Sequence, residues 1–410
     1  MLLTLTSASA GEVFTYIGYI LLALVALMVM IVIHESGHYL AGKLLGFRID
    51  EFGIGFGPPI IKKRNKKTGE LFTLRILPLG GFCAFHGEED DGLSKEDMER
   101  VYKREHVYAP YRAASADGSA AAALPLPAGE NTAQTPARPA NEGAFNLQKP
   151  WKRLIVMFSG ALFNFLSAIF IITIYFTAYG QILPVVTEAY PVNGVENVFQ
   201  AGDVILAKDG LQVNIMTNDD VASAFEDVKT GTKYKILRDG EVMTVTVTVG
   251  DYVLGDKYLE EGESPDRTGV GVVFGVESVK LGFFRSLGRS FGFSFFIVFK
   301  ILASLGALLT GQVGLEAAGG TVTVITTIAN LSASGFGSFL YVVAIISANL
   351  AVMNLLPIPS LDGSRMLFTL IEMIFRKPVP RKVEAAIHTV GMILIVLLAV
   401  FLDIFHLVRR

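Results

Sequence analysis

Long apolar runs constrain this chain more than any other feature. A bilayer hydrocarbon core about 30 Å thick is crossed by roughly 20 apolar residues in a helix. Three stretches meet that requirement: 13–41, 154–179 and 386–405. A fourth, from Phe336 to Pro357, is apolar but contains Asn349 and Asn354. Polar groups in a spanning helix are costly and face the protein interior, where asparagine often joins one helix to another. A fifth stretch, 291–309, follows Arg285 and Arg289 and contains Lys300, so spanning and interfacial placements both stay open for it. With 51% hydrophobic and 18% charged residues, the composition is that of a membrane protein. A net charge of -3 gives no basis for a nucleic-acid partner. The single cysteine, Cys83, excludes an intramolecular disulfide and a multi-cysteine metal site. Ala8-Ser9-Ala10 has the look of a cleavage site, yet no Lys or Arg precedes it and the apolar run follows it. That order is opposite to a secretory signal, so residues 1–11 read as a short tail and the first helix as retained.

Residues 47–86 have the period-2 character of a hairpin. Phe52-Gly53-Ile54-Gly55-Phe56-Gly57-Pro58-Pro59 and Leu71–Leu77 flank a polar turn at Lys66-Lys67-Thr68-Gly69. Residues 88–112 are charged, with a helix expected around Leu93–Tyr108, and the Ala/Pro-rich stretch 113–143 reads as a linker. Between 181 and 275, short strands are expected at Val185-Val186, Val204–Leu206, Tyr234–Leu237 and Val242–Val249. Asp239-Gly240 is a hairpin turn signal, and Asn218–Asp227 supplies a short helix. Basic residues cluster after the first span (Lys43, Arg48, Lys62, Lys63, Arg64, Lys66, Lys67) and before the last (Arg365, Arg376, Lys377, Arg381, Lys382). Cytoplasmic loops carry such an excess, which puts the β-rich module and both termini on the other side.

The chemistry lies in His34-Glu35-Ser36-Gly37-His38. Residues four apart on a helix share a face, so His34 and His38 can hold one Zn²⁺ while Glu35 deprotonates its water. The alternative is three ordinary polar residues at a helix end, but ionisable groups in a spanning segment are functional candidates by default. A hydrolytic zinc takes a third protein ligand, for which His86, His106, His388, His406 and Asp362 are possible by residue type. Asp362 has the best setting. It follows Asn354-Leu355-Leu356-Pro357-Ile358-Pro359-Ser360-Leu361, where two prolines end a helix and leave irregular backbone at the membrane boundary. Its ordinary role would be helix capping.

HESGH in the first helix with NLLPIPSLDG far downstream resembles the site-2 protease family of intramembrane metalloproteases, closest to the bacterial type with an inserted PDZ module. The resemblance implies one zinc ion per chain on His34, His38 and Asp362, with Glu35 as general base and acid. It implies that Asn349, Asn354, Pro357 and Pro359 hold an unwound substrate. Leu79-Gly80-Gly81-Phe82 resembles the family's membrane re-entrant hairpin, so Gly80 and Gly81 would line a strand-addition site. Ala161 and Gly320 stand where family segments usually have proline. Gln200–Ile205 is similar to the PDZ pattern, more weakly so around Asn193–Val198.

The expected fold is thus a polytopic α-helical membrane protein with four transmembrane helices, a re-entrant β-hairpin and an inserted β-rich PDZ-like domain. Its parts are 1–46, 47–87, 88–150, 151–180, 181–278, an interfacial segment 279–335, and 336–410 with the last two spans. Four spans follow from parity, because a crossing at 291–309 would bring Asp362 out on the wrong face. The expected partners are the lipid bilayer and membrane proteins with a single transmembrane segment, such as pre-trimmed anti-sigma factors or remnant signal peptides, in a bacterial cytoplasmic membrane. Oligomeric state stays open. Two competing classes remain: a protease of prenylated C-termini, which needs Glu372 or Glu384 as a ligand, and a catalytically silent scaffold that binds peptides.

Overall fold

The structure is a computed structural model that describes residues 10–88, 143–260, 263–314, 316 and 318–408. The charged helix expected around Leu93–Tyr108 and nearly all of the 113–143 linker lie outside the described residues. Two compact units emerge, one from Met1–Ser167 with Ile301–Arg410, the other from Ala168–Lys300.

In the first unit, α1 (Ala10–Leu45) is the first apolar run, extended a turn at its far end by Gly42–Leu45. Strands β1 (Ile49–Arg64) and β2 (Leu71–Phe85) follow, around the turn expected at 66–69. Their pairing is more elaborate than a hairpin. Ile61–Arg64 run antiparallel to Leu71–Leu74, yet Glu51–Ile54 also lie opposite Leu71–Leu74, with numbers rising together. Ile54 is then paired to Gly81 and Ile49 to Phe85. β1 therefore folds back on itself, and its two halves flank the start of β2. The bend sits at Gly55-Phe56-Gly57-Pro58, where Gly55 has φ +85° and a Cβ would come within 2.4 Å of the Leu77 carbonyl oxygen. Proline and glycine mark such breaks within a sheet. The last stretch of β2 lies along α1, with Gly81 against Ile31 and Glu35 and the Phe85 ring against Gly42.

Helix α2 (Pro150–Tyr179) is the second apolar run and begins with proline at its first helical position. The part of α2 from Ala168 onward, with strands β3 (Gln181–Ala189), β4 (Val204–Lys208), β5 (Leu211–Gln212), β6 (Lys233–Arg238), β7 (Glu241–Thr246), β8 (Gly250–Val253), β9 (Asp266–Gly269) and β10 (Val272–Val279), belongs to the second unit. Helix α3 (Asn218–Phe225) is the short helix expected there. The strand order is β10-β3-β4-β6-β7, with β5 beside β4 and β8–β9 as a separate ribbon. Val204, Ile205 and Leu206 are all buried, because β4 is central and packs on both faces. Ile205 joins Val186, Phe199, Tyr234 and Ile236 in one core, while Val204 and Leu206 join Leu183 and Leu281 on the other face. Asp239 (φ +50°) and Gly240 (φ +84°) form the β6–β7 turn, where a type I′ turn needs positive φ at both positions.

Helix α4 (Phe283–Leu309) opens in the second unit. It buries the stripe Ser286, Ser290, Phe293, Ser294 and Ile297. Within that unit Ser290 Oγ meets Thr173 Oγ1 at 2.8 Å and Phe293 packs edge-on against Phe176. Back in the first unit lie α5 (Thr321–Ala333), α6 (Phe336–Leu355), α7 (Asp362–Phe375) and α8 (Arg381–Val408). Neither α5 nor α7 was expected as a helix. Among the described residues, five helices (α1, α2, α4, α6 and α8) are long and apolar enough to cross a membrane by length and composition.

Asp203 anchors the second unit. Fully buried, it takes two hydrogen bonds from Arg238, Nε to Oδ1 and Nη2 to Oδ2, both at 2.7 Å. The Gln200 N–H reaches it at 2.8 Å. Removing one partner of such a buried pair strands the other. Asp203→Ala is expected to cost about 3 kcal/mol, read as lost hydrogen-exchange protection across β3, β4 and β6 in the full-length protein.

Candidate metal centre

His34 and His38 sit one turn apart on α1, both buried among side chains of neighbouring helices. Asp362 is the first residue of α7, with Leu361 as its N-cap. Its carboxylate does not cap the helix; Oδ2 lies 2.9 Å from His34 Nε2 and 3.3 Å from His38 Nε2. The two Nε2 atoms are 3.1 Å apart. A tetrahedral zinc site with arms of about 2.0–2.1 Å has edges of about 3.3 Å between ligand atoms, so the three donors already have the spacing of one ion's ligands. Among the described residues they are the only cluster of three or more such donors.

The atoms behind the imidazoles fit the same reading. His38 Nδ1 lies 2.7 Å from the Val156 carbonyl oxygen, so Nδ1 carries the proton and Nε2 offers its lone pair. His34 Nδ1 faces the Asn164 side-chain amide at 3.3 Å, with Asn164 buried and its Oδ1 lacking any partner. The amide turned end for end places Oδ1 on His34 Nδ1–H. That satisfies the oxygen and frees His34 Nε2 as a ligand. Asn164 is held in turn, because its backbone carbonyl accepts from Ser347 Oγ of α6 at 2.9 Å.

Space for the rings comes from two glycines. A Cβ on Gly37 would lie 2.3 Å from the Ser159 carbonyl oxygen, and one on Gly160 would lie 2.3 Å from His38 Nε2 and 2.7 Å from His34 Cε1. With hydrogen at both positions, α1 and α2 approach closely. Gly160 and Asn164 are four apart on α2, the spacing of the histidines on α1. In the sequence only Ala161 of this segment stands out, through the family resemblance; the segment's own signal is Gly160 and Asn164, a small and a polar residue on one face of an apolar helix.

Glu35 is half-buried and adjoins Gly81, whose Cβ would lie 3.2 Å from Glu35 Cγ. Gly80 (φ +91°) packs against the Phe56 ring. Asn349 and Asn354 are half-buried on α6, and their amides make no hydrogen bond among the described residues. Pro357 and Pro359 lie in the turn between α6 and α7. The other ligand candidates are engaged elsewhere. His86 bonds Asp50, His388 bonds the Ser360 N–H, and His406 bonds the Ala318 carbonyl; His106 lies outside the described residues. Glu372 pairs with Arg153 and Glu384 lies near His388, so neither joins the histidines.

Comparison with known proteins bears on the same residues. Residues 22–398 match the model of peptidase family M50. The chain belongs to that family. M50 comprises the zinc-dependent site-2 proteases. Two curated relatives, from Agrobacterium fabrum and Clostridium perfringens, are each 29% identical to this chain, and both are named "Putative zinc metalloprotease". The alignments cover 94% of this chain with either relative, and 94% and 97% of the relatives' own lengths. A Staphylococcus aureus relative of the same name is 27% identical across 94% of this chain and 97% of its own. This M50 chain is a membrane metalloprotease by family, and its only described donor cluster lies inside the matched region.

Metal content tests the pocket. Gly160→Ala is expected to leave the purified protein nearly free of zinc, because the added methyl occupies the space between the imidazoles. Asn164→Ala is expected to weaken zinc binding by roughly 10–100-fold, measured by competition with a chromophoric chelator. Ala161→Gly, one residue away, should retain the wild-type metal content.

Proposed function

We propose that this chain is an intramembrane zinc endopeptidase in which His34, His38 and Asp362 hold the ion and Glu35 moves the proton. The convergence of those three donors, His34 and His38 on a helix long enough to span and Asp362 at the start of the shorter α7, carries the reading. Zinc, when bound, supplies a Lewis acid that polarises a peptide carbonyl and lowers the pKa of water. Glu35 then takes the proton from the attacking water and returns it to the leaving nitrogen. A helical peptide bond is shielded by its own hydrogen bonds, so the substrate must be extended before it reacts. The Gly81–Phe85 stretch is suited to holding an extended chain. It pairs with Ile49–Ile54 on one side, has no strand partner on the other among the described residues, and runs past Glu35. A transmembrane segment unwound beside it gains backbone hydrogen bonds by strand addition. Asn349, Asn354, Pro357 and Pro359 act on the same substrate, since the two amides are free to take up backbone groups that unwinding exposes. The substrates are membrane proteins with a single transmembrane segment, trimmed beforehand outside the membrane. The β-rich module, read as PDZ-like, filters them by size or by their new C-termini.

The membrane topology has four spans, α1, α2, α6 and α8, with the module extracytoplasmic and the metal near the cytoplasmic side. Helix α4 lies in the interface. Its support comes from the second unit: Arg289 donates to the Leu206 and Val213 carbonyls at 3.0 and 2.7 Å, and Lys300 pairs with Asp220. Eleven residues of helix span about 16 Å, so a crossing α4 would draw the polar edge of the module that far into hydrocarbon. Phe284, Phe291, Phe295 and Phe299 are exposed along the helix, as in a helix that lies on lipid.

Two experiments test these statements. Glu35→Gln is expected to keep wild-type zinc content while turnover of a transmembrane substrate falls by at least about 10³-fold. Cleavage at the wild-type rate would remove Glu35 from the mechanism. In a Cys83→Ala background, Gln312→Cys and Asp227→Cys should label from the same side with a membrane-impermeant maleimide; labelling from opposite sides would mean that α4 crosses.

A further inference from the structure

The turn between α6 and α7 delivers Asp362 to the histidines, and its backbone is unusual. Ser360, two residues before the ligand, has φ +74°, a conformation that residues other than glycine rarely adopt. Such a conformation persists only where its surroundings hold it. Helix α8 provides the hold. The Ser360 N–H donates to His388 Nδ1 at 2.9 Å, and Ser360 Oγ donates to the His388 carbonyl at 2.7 Å. One turn further along α8, Gly391 leaves room for Pro359: a Cβ there would lie 2.1 Å from Pro359 Cβ. The imidazole also meets Phe368 of α7 edge-on, with ring centroids 5.8 Å apart. His388 thus contacts both the turn and the helix that Asp362 begins. Because its Nδ1 accepts, its proton sits on Nε2, which lies 3.7 Å from Glu384 Oε1.

We propose that His388 is a positioning residue for the metal centre: by accepting the Ser360 N–H it holds the turn in its left-handed backbone, and thereby keeps Asp362 in reach of the ion shared with His34 and His38. The last helix is then a template for the third ligand as well as a membrane anchor. The effect on turnover rests on the endopeptidase reading; the effect on metal affinity does not.

The test measures two quantities in full-length protein: zinc affinity, by chelator competition, and kcat and KM on a transmembrane peptide. His388→Ala is expected to weaken zinc binding by roughly 10–100-fold and to lower kcat, with KM nearly unchanged. His388→Asn, whose Oδ1 accepts close to where Nδ1 did, should recover most of both. His388→Gln, whose carbonyl lies one bond further out, should not. Wild-type zinc affinity and kcat in His388→Ala overturn the proposal, and so does an equal loss in all three variants. If His388→Ala does not accumulate in the membrane, the contrast between His388→Asn and His388→Gln decides alone. Glu35→Gln, measured alongside, keeps zinc and loses turnover if the endopeptidase reading holds; should it cleave normally, that reading fails while the zinc affinities still judge His388.

Discussion

Two imidazoles and a carboxylate gathered among apolar helices are costly unless something common to all three compensates them. A divalent cation does so, because it is the largest charge in its surroundings and draws the donors to one point. His34, His38 and Asp362 have that arrangement, with donor atoms 2.9 to 3.3 Å apart. The surrounding helices set that geometry. Helix α1 fixes the spacing of the histidines, α2 orients them through the Val156 carbonyl and the Asn164 amide, and the turn before α7 brings the carboxylate.

That arrangement depends on a surface without side chains. In lipid, helices gain nothing from hiding apolar surface from one another, so close packing and hydrogen bonds must join them. Gly37 and Gly160 let α1 and α2 meet at the level of the metal donors. A few residues further on, Ser167 and Ser347 bond each other at 2.7 Å, tying α2 to α6. Small residues therefore serve two ends here: they bring the helices together and leave room for the imidazoles of His34 and His38.

Much of this was legible in the sequence, for reasons that differ by element. The apolar runs, the turn at 66–69 and the Asp239-Gly240 turn are local signals, and local geometry answers them. Helix α5 was not legible. Its sequence, Thr321-Val322-Thr323-Val324-Ile325-Thr326-Thr327, is β-branched and has low helix propensity. It is helical because Ile328 and Val324 pack with Ala23 and Leu27 of α1, and because Asp403 of α8 accepts the N–H groups of Val322 and Thr323 at its first turn. Helix α7 was hidden by the prolines before it, which signal where a helix stops and say nothing of where the next begins. The doubled pairing of β1 was equally hidden, since alternation shows which residues face together and not which strand lies beside them.

The sequence by itself determined the chemical type of the protein: apolar runs of membrane length, two histidines one helical turn apart and a glutamate between them. Those are properties of neighbouring residues, set by the helix repeat and by the thickness of a bilayer. Only the tertiary structure decided that Asp362, 328 positions from His34, completes the cluster while His86, His388 and His406 are spent elsewhere. It also gave places to residues with no chemistry of their own in the sequence: Gly160 against the two imidazoles and Asn164 as the partner of His34. The reason is physical. A ligand set is defined by distances across helices, and those distances exist only after the helices have packed.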